Sequence, residues 1–425
     1  MSAAREAGTL HPVDIAVAAL GAGALTDAGL AAHVAPLFSR ARTAAPDSIY
    51  LANHSLGRPP DAMEADVRGA LAAWYARMGG AWDAWSEEMR DFRDGIARLI
   101  GAPHGDCVVP KTNAGQGLRA ILNAFERTDV PRVVALRGEF DSLDVILREY
   151  ARRGRIALTF VEPRAGGEFD TADVLRAIGA RVDLVVVSHV VFNTGQRIDD
   201  PASIVRAAHA AGGWLLLDVY HAAGVMPVDA LDVDIDFAVG GSYKYLRGGP
   251  GACFLYLHPR HLDGSLRTLD IGWFAKRDPF AYARPDPPAL ADGGDAFLES
   301  TPPVLTWFQA RAGQRLALAL GPARIRRHSL GQQRRLVDLL AAHGLDARGG
   351  IESRGAFVTI ETPEAARWCA ALGERDVVAD ARGPWLRLCP DVVTTDDDLA
   401  RAAQALGEIA RADRRGAPMR AAPPP

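Results

Sequence analysis

Cysteine is scarce in this chain: four in 425 residues, at positions 107, 253, 369 and 389, with no CxxC pair and no histidine at metal-ligand spacing. That excludes a disulfide framework and a zinc site, leaves no metal ligand set to name, and fits a reducing cytoplasm. An excess of one charge sign is also missing. A formal net charge of −4 offers no polycationic surface for a nucleic-acid backbone. Long apolar runs are absent too: Ile15-Ala16-Val17-Ala18-Ala19-Leu20 is soon broken by glycines and Asp27, and no basic leader or cleavage site accompanies it. Neither export nor membrane insertion is expected. With no internal repeat, the expectation left is a globular chain acting on a small molecule.

What is present supports that frame. A content of 48% hydrophobic and 24% charged residues suits two or three packed units. Short helices are expected before an extended segment at 48–53 that turns at Gly57, followed by helical patterning over 60–78 and 85–100. From 106 to 260, short β-branched runs alternate with helix-length stretches: 106–109, 132–136, 156–161, 184–188, 214–218, 237–239 and 252–257. Such alternation predicts an α/β fold with a largely parallel sheet covered on both faces, and ligands at the carboxyl ends of its strands. A Pro-, Gly- and Asp-rich crossing at 262–305 leads to helices over 304–320 and 328–343, then to strand-like runs at 356–360 and 385–388, which read as a small α+β domain. The expected division is an N-terminal segment 1–62 packing with the small domain, a large domain 63–312, a small domain 313–412, and a disordered tail 413–425.

The most specific stretch is Gly241-Ser242-Tyr243-Lys244-Tyr245-Leu246-Arg247-Gly248-Gly249-Pro250-Gly251, which follows the strand-like run ending in Asp218. A lone lysine before a glycine-rich turn, with an acid at a preceding strand end, is what an enzyme needs to hold pyridoxal 5'-phosphate (PLP). The lysine amine condenses with the cofactor aldehyde, and the aspartate keeps the pyridine nitrogen protonated, so that the ring accepts electrons from substrate. Taken singly, Asp218 reads equally as a helix cap and Lys244 as a solvated loop lysine; the pair carries the inference.

Further motifs follow in order. Tyr50-Leu51-Ala52-Asn53-His54-Ser55-Leu56-Gly57 is an extended segment, and Val108-Val109-Pro110-Lys111-Thr112-Asn113-Ala114-Gly115 leads from a strand into a helix whose amides suit a phosphate. With Arg137-Gly138-Glu139-Phe140-Asp141-Ser142, Asp218-Val219-Tyr220-His221, Gly272-Trp273-Phe274, Ser300-Thr301-Pro302-Pro303 and the Val378-to-Pro390 stretch, these resemble kynureninases, within the class V aminotransferase branch of fold-type I PLP enzymes. The likeness runs from Tyr50 to Pro390.

The resemblance implies a fold-type I transferase fold, with a mainly parallel seven-stranded sheet in the large domain. It also implies a phosphate grip at Thr112, Asn113, Ala114 and Tyr243, Phe140 stacked on the cofactor, and His221 beside the ring. Trp273 and Thr301 would complete the phosphate site across a homodimer interface, and Arg387 would hold the substrate α-carboxylate, with His54 and Ser55 also on the substrate side. A planar guanidinium binds a carboxylate bidentately and so fixes which Cα bond is exposed to the cofactor. Without the resemblance Thr112 reads as a helix cap, Phe140 as core packing, Trp273 as an interface aromatic, Thr301 as a turn residue and Arg387 as the partner of a surface acid. The implied reaction is hydrolysis of the Cβ–Cγ bond of L-kynurenine or a modified kynurenine, giving an anthranilate-type acid and L-alanine, with Lys244, Asp218 and His221 as catalytic residues. The alternative is another PLP-dependent reaction on a β-substituted amino acid, of the C–S lyase or desulfurase kind. Departures from the family pattern gather on the substrate side, at His54, Lys111, Leu143, Val191-Phe192-Asn193 and Arg247.

Overall fold

Near-continuous apolar runs form the central strands. The computed structural model describes residues 11–126 and 129–416. After a two-residue strand β1 (Ile49–Tyr50) come β2 (Val108–Lys111), β3 (Arg132–Leu136), β4 (Ala157–Val161), β5 (Leu184–Ser188), β6 (Trp214–Asp218), β7 (Phe237–Gly241) and β8 (Cys253–Leu257). These last seven make one sheet in the order β2-β8-β7-β6-β5-β3-β4. The β3, β4, β5, β6 and β7 pairings are parallel, whereas β8 runs antiparallel to both β2 and β7. The expectation of a mainly parallel seven-stranded sheet in an α/β fold is met.

Side chains on a strand alternate between faces, and here both faces are covered. Val185, Val187, Leu215, Leu217 and Ala238 enter one hydrophobic cluster, while Leu184, Val186, Leu216, Phe237 and Val239 enter another. This is why the strands read as unbroken apolar runs. Each such fully buried Val or Leu contributes roughly 1.5–3 kcal/mol.

Beyond the crossing, where short 3-10 turns such as Trp273–Ala275 and Gly293–Phe297 replace regular structure, the chain builds a second core. Strands β9 (Val358–Glu361), β10 (Val377–Val378), β11 (Asp380–Arg382) and β12 (Trp385–Leu388) follow, with β11-β12-β9 forming an antiparallel sheet. Its apolar side packs on Leu336 and Leu340 of helix Pro322–Ala342 and on Leu399, Leu406 and Ile409 of helix Asp396–Arg414. Ile49 and Leu51 join this cluster, and β1 pairs in parallel with β10.

Some elements differ from expectation. Residues 105–107 form a 3-10 turn, so β2 starts at Val108. Strand β11 has too little apolar character to be seen as a strand; β12 recruits it. The final helix, capped by a Thr395–Asp398 box, runs to Arg414 and so overlaps the start of the stretch expected to be a tail. Residues 417–425 of that stretch lie outside the described residues. Among the described residues no helix is long and apolar enough to cross a membrane.

Candidate active site

The parallel strands deliver their carboxyl ends to one edge of the sheet, the place where an open α/β sheet receives its ligand. Asp218 is the last residue of β6, Ser188 the last of β5, and Lys244 lies in the turn after β7. Around them is a cavity of about 200 Å³. Its wall includes Thr112, Asn113 and Ala114, then Phe140 and Asp218, then His221, Tyr243 and Lys244. Residues widely separated in sequence are thus brought together around one cavity.

Lys244 is 5% exposed and Asp218 6%. Burial pushes the Lys244 amine well below the usual lysine range, the nearby Asp218 charge opposing and Arg387 adding to the shift. Burial raises the Asp218 carboxyl, against the Tyr220 amide that donates to its Oδ1 at 2.8 Å and against the Lys244 charge. Lys244 Nζ lies 2.9 Å from His221 Nε2, which is also 3.2 Å from the His54 carbonyl oxygen. A protonated Nε2 donates to that carbonyl and a bare one accepts from the amine; it cannot do both. Burial first, then the Lys244 and Arg387 charges, hold His221 well below the ordinary histidine range and therefore neutral at physiological pH. The amine sits 5.3 Å from the centroid of the Phe140 ring, 5.4 Å from that of Tyr220 and 5.6 Å from that of Tyr243. Phe140 is braced edge-to-face by Phe192 at 5.4 Å.

Helix Ala114–Leu122 starts at the cavity wall, with Asn113 as its N-cap. The Thr112 amide and hydroxyl converge on one oxygen, Gln116 Oε1, at 2.7 and 2.8 Å. Two donors aimed at a single oxygen beside a helix N-terminus suit a phosphate group. With a buried amine, a carboxylate at a strand end and an aromatic face, this donor set fits PLP.

Arg387, Ser55 and His54 stand behind the cavity rather than in its wall. Strands β11 and β12 set Asp380 directly opposite Arg387, and the Arg387 Nη2 group donates to Asp380 at 2.7 Å while Nη1 donates to the Phe192 carbonyl at 2.5 Å. Ser55 Oγ donates to the same Asp380 carboxylate, and Arg382 pairs with its other oxygen at 2.8 Å. Two guanidinium groups meet one carboxylate, so one positive charge is left over, and the buried Arg387 Nε has no hydrogen-bond partner. His54 departs from its expected substrate contact. Its ring is fully buried and stacked on Phe357 at 4.8 Å, so the chain turns its carbonyl, not its imidazole, toward His221.

Trp273 and Thr301 do not reach the Lys244 cavity of their own chain. The Trp273 indole donates to Thr301 Oγ1 at 3.1 Å, and Thr301 lines a neighbouring cavity of about 160 Å³ that shares Thr112 and Gly251 with the first. The departures from the family pattern acquire partners: Lys111 reaches Glu299 at 2.7 Å, Leu143 is core, Phe192 lines the cavity, and Arg247 is paired with Asp391. Sequence reasoning missed Glu139. It is buried, accepts from the Ser188 amide at 2.9 Å and hydroxyl at 2.6 Å, and burial pushes its carboxyl up to about 8. An acid directly before Phe140 at a strand end was the available signal. Among the described residues no group of three or more His, Cys, Asp or Glu side chains could hold a metal.

Comparison with known proteins agrees with this geometry. The family model described as Aminotransferase class-V matches residues 72–360, and the chain belongs to that family. It is a PLP-dependent enzyme that takes a small amino acid substrate. The kynureninase of Burkholderia pseudomallei (strain 1106a) is 31% identical over 363 residues, 79% of this chain and 82% of that protein. The kynureninase of Pseudomonas fluorescens is 28% identical over 397 residues, covering 88% and 92%. Among solved structures, a C-DES mutant with glycine covalently linked to its PLP cofactor superposes with a TM-score of 0.77 at 18% identity, over 86% of this chain and 99% of that one. The cysteine desulfurase CsdA from Escherichia coli gives 0.73 at 17%, over 90% and 98%. At those identities the likeness is one of fold.

Proposed function

We propose that this protein is a kynureninase-like hydrolase that cleaves the Cβ–Cγ bond of L-kynurenine or a modified kynurenine to an anthranilate-type acid and L-alanine, in a cytoplasmic setting that suits its unpaired cysteines. The observation that carries this reading is the likeness to kynureninases over about four-fifths of both chains. PLP, when bound at Lys244, supplies an electron sink for negative charge developing on the substrate.

This chain's residues have distinct tasks in that reading. With PLP bound, Asp218 would hold a proton on the pyridine nitrogen, Thr112, Asn113, Ala114 and Tyr243 would hold the phosphate, and Phe140 would lie against the ring. Trp273 and Thr301, which lie outside the wall of their own cavity, would complete the phosphate site of a second copy in a homodimer. The Lys244 amine, made less basic by burial, takes the Cα proton, with His221 fixing its position at 2.9 Å. Arg387, which lies behind Phe192 of the cavity wall, would supply the surplus charge of its cluster to the substrate carboxylate, with Ser55 alongside.

Cleavage at sulfur in another β-substituted amino acid is a second reading, drawn from the fold likeness. A desulfurase needs a reactive thiolate. Cys369 lies in helix Ala365–Gly373 with its thiol raised by burial, and Cys389 is fully buried, its thiol pushed up to about 12. Incubation of PLP-loaded protein with L-kynurenine and with 3-hydroxy-L-kynurenine tests the proposal. Equimolar alanine and aromatic acid by mass spectrometry are expected; cleavage of neither, with sulfide or pyruvate released from cystine, would replace it by the second reading.

A further inference from the structure

Tyr245 and Leu246 of the lysine turn pack in one hydrophobic core and Leu386 and Leu388 of the Arg387 strand in another, the two meeting where Cys389, Val392 and Val393 join the first. The chemistry needs turn and strand at a fixed separation, because the same Cα must face the amine while its carboxylate is held. A buried ion pair joins the two. Arg247, three residues beyond Lys244, is 3% exposed and pairs through Nη2 with Asp391, which is 5% exposed and lies four residues beyond Arg387. Arg247 Nη1 also donates to the Tyr245 carbonyl at 2.6 Å, and its backbone amide donates to the Lys244 carbonyl at 3.0 Å. On the other side, the Asp391 amide donates to Thr394 Oγ1 at 2.9 Å and Gln332 donates to the Asp391 carbonyl at 2.9 Å. The Asp391 backbone is therefore fixed by helix Pro322–Ala342 and by its own turn, and the Arg247 guanidinium by the lysine turn.

Two independent features mark this contact as more than packing. Arg247 adopts a left-handed backbone, with φ at 55°, a region rarely used by residues other than Gly and Asn and kept only where surroundings over-determine it. The chain also approaches the turn too closely for a side chain at Gly57, where a Cβ would lie 2.0 Å from the Lys244 carbonyl oxygen. The Gly57 amide donates to the Tyr243 carbonyl at 2.8 Å, while Asn53 and Leu51 of the same segment bond the Cys389 backbone. One extended segment thus touches both the lysine turn and the end of β12, and the ion pair closes the triangle.

We propose that Arg247 and Asp391 are positioning residues: their buried ion pair latches the Lys244 turn to the Arg387 strand and sets the spacing at which an α-amino acid spans the two. The inference rests on the roles of Lys244 and Arg387 given above. It places neither Arg247 nor Asp391 in contact with substrate.

The test uses PLP-loaded protein and two probes that differ only in the carboxylate, L-alanine and ethylamine, with binding read from the visible spectrum of the cofactor. In R247N/D391N, where asparagine tolerates the left-handed backbone and no charge is stranded, L-alanine affinity falls about 10- to 100-fold, the scale of a misplacement by an ångström, while ethylamine affinity is unchanged. Asp391→Glu keeps the charge but lengthens the arm; it shows a smaller loss in the same sense and serves where the double variant does not fold. Unchanged L-alanine affinity, or equal losses for both probes, overturns the latch. Arg387→Ala distinguishes the two levels. Retained L-alanine affinity there sinks the carboxylate-site reading and the latch with it, whereas a loss there with none in R247N/D391N sinks the latch alone.

Discussion

Lys244 and Arg387 are both buried cations, but their surroundings differ. Lys244 faces a neutral imidazole at 2.9 Å and three aromatic rings at 5.3–5.6 Å. Arg387 faces the Asp380 carboxylate at 2.7 Å and a carbonyl at 2.5 Å. Burial lowers the proton affinity of both. A lysine can lose its proton under that pressure, while a guanidinium, with its far higher starting affinity, stays charged. One site is thereby suited to move a proton and the other to hold a charge in place. The sheet edge supplies the first and a cross-strand pair supplies the second.

The comparison breaks most visibly at the amine. Lys244→Ala is expected to abolish the visible band of the lysine-bound cofactor and to cut turnover by about 10⁴-fold, the upper end of what a positioned proton-transfer group contributes; a band that persists would remove Lys244 from its role. At the other cation, Arg387→Ala leaves Asp380 its ion pair with Arg382 and its hydrogen bond from Ser55, so no charge is stranded and the cost is that of one hydrogen bond to a charged group, about 1.5–3 kcal/mol. A lower unfolding midpoint in urea is expected together with lost amino acid affinity, and unchanged stability would show that the cluster is not paired as described.

Asp218→Asn tests the neighbour of the amine with a smaller change. The near-isosteric amide keeps the 2.8 Å bond from Tyr220, so cofactor binding survives while turnover falls by roughly 10²-fold, as for loss of one preorganised electrostatic partner. Turnover equal to that of the unaltered enzyme would exclude Asp218 from the ring nitrogen.

The smallest effect belongs to Glu139. Its folded carboxyl is raised from 4.5 to about 8 by burial, so between those values the folded state binds more protons than the unfolded one. This stabilising contribution is present at low pH and lost as pH rises through 8. Glu139→Gln keeps an acceptor for the Ser188 amide and removes that slope. Melting temperatures of the variant and the unaltered protein should diverge between pH 5 and pH 8 in the variant's favour on the alkaline side; parallel curves would contradict a protonated Glu139.

Legibility in the sequence differed sharply between the two sites. The limits of β3, β5 and β6 could be read directly, because a strand buried on both faces must be apolar at nearly every position; those of β12 could be read from Trp385, Leu386 and Leu388, which flank Arg387. The Lys244 turn, Asp218 and the Thr112–Asn113 turn before helix Ala114–Leu122 were readable for a related reason: each ends or follows a strand whose end the sheet places at a common edge. The Arg387 surroundings were less readable. Strand β11 carries Asp380 and Arg382 within three residues and has no strand pattern of its own, so its pairing with β12 emerges only in the fold. Nothing local to Lys111 or Arg247 announces Glu299 or Asp391, partners 188 and 144 residues away.

By itself the sequence determined the α/β sheet, the cofactor class and the residues at its strand ends, since apolar periodicity and a lysine–aspartate pair are local signals that survive without a partner. Only the tertiary structure decided that β8 runs against its neighbours, that the His54 ring is buried behind the cavity instead of lining it, that Glu139 stands beside the site, and that Arg247 ties the lysine turn to the strand of Arg387. Those outcomes depend on which distant groups share a desolvated space, where the cost of an unpaired charge or polar atom selects the partner.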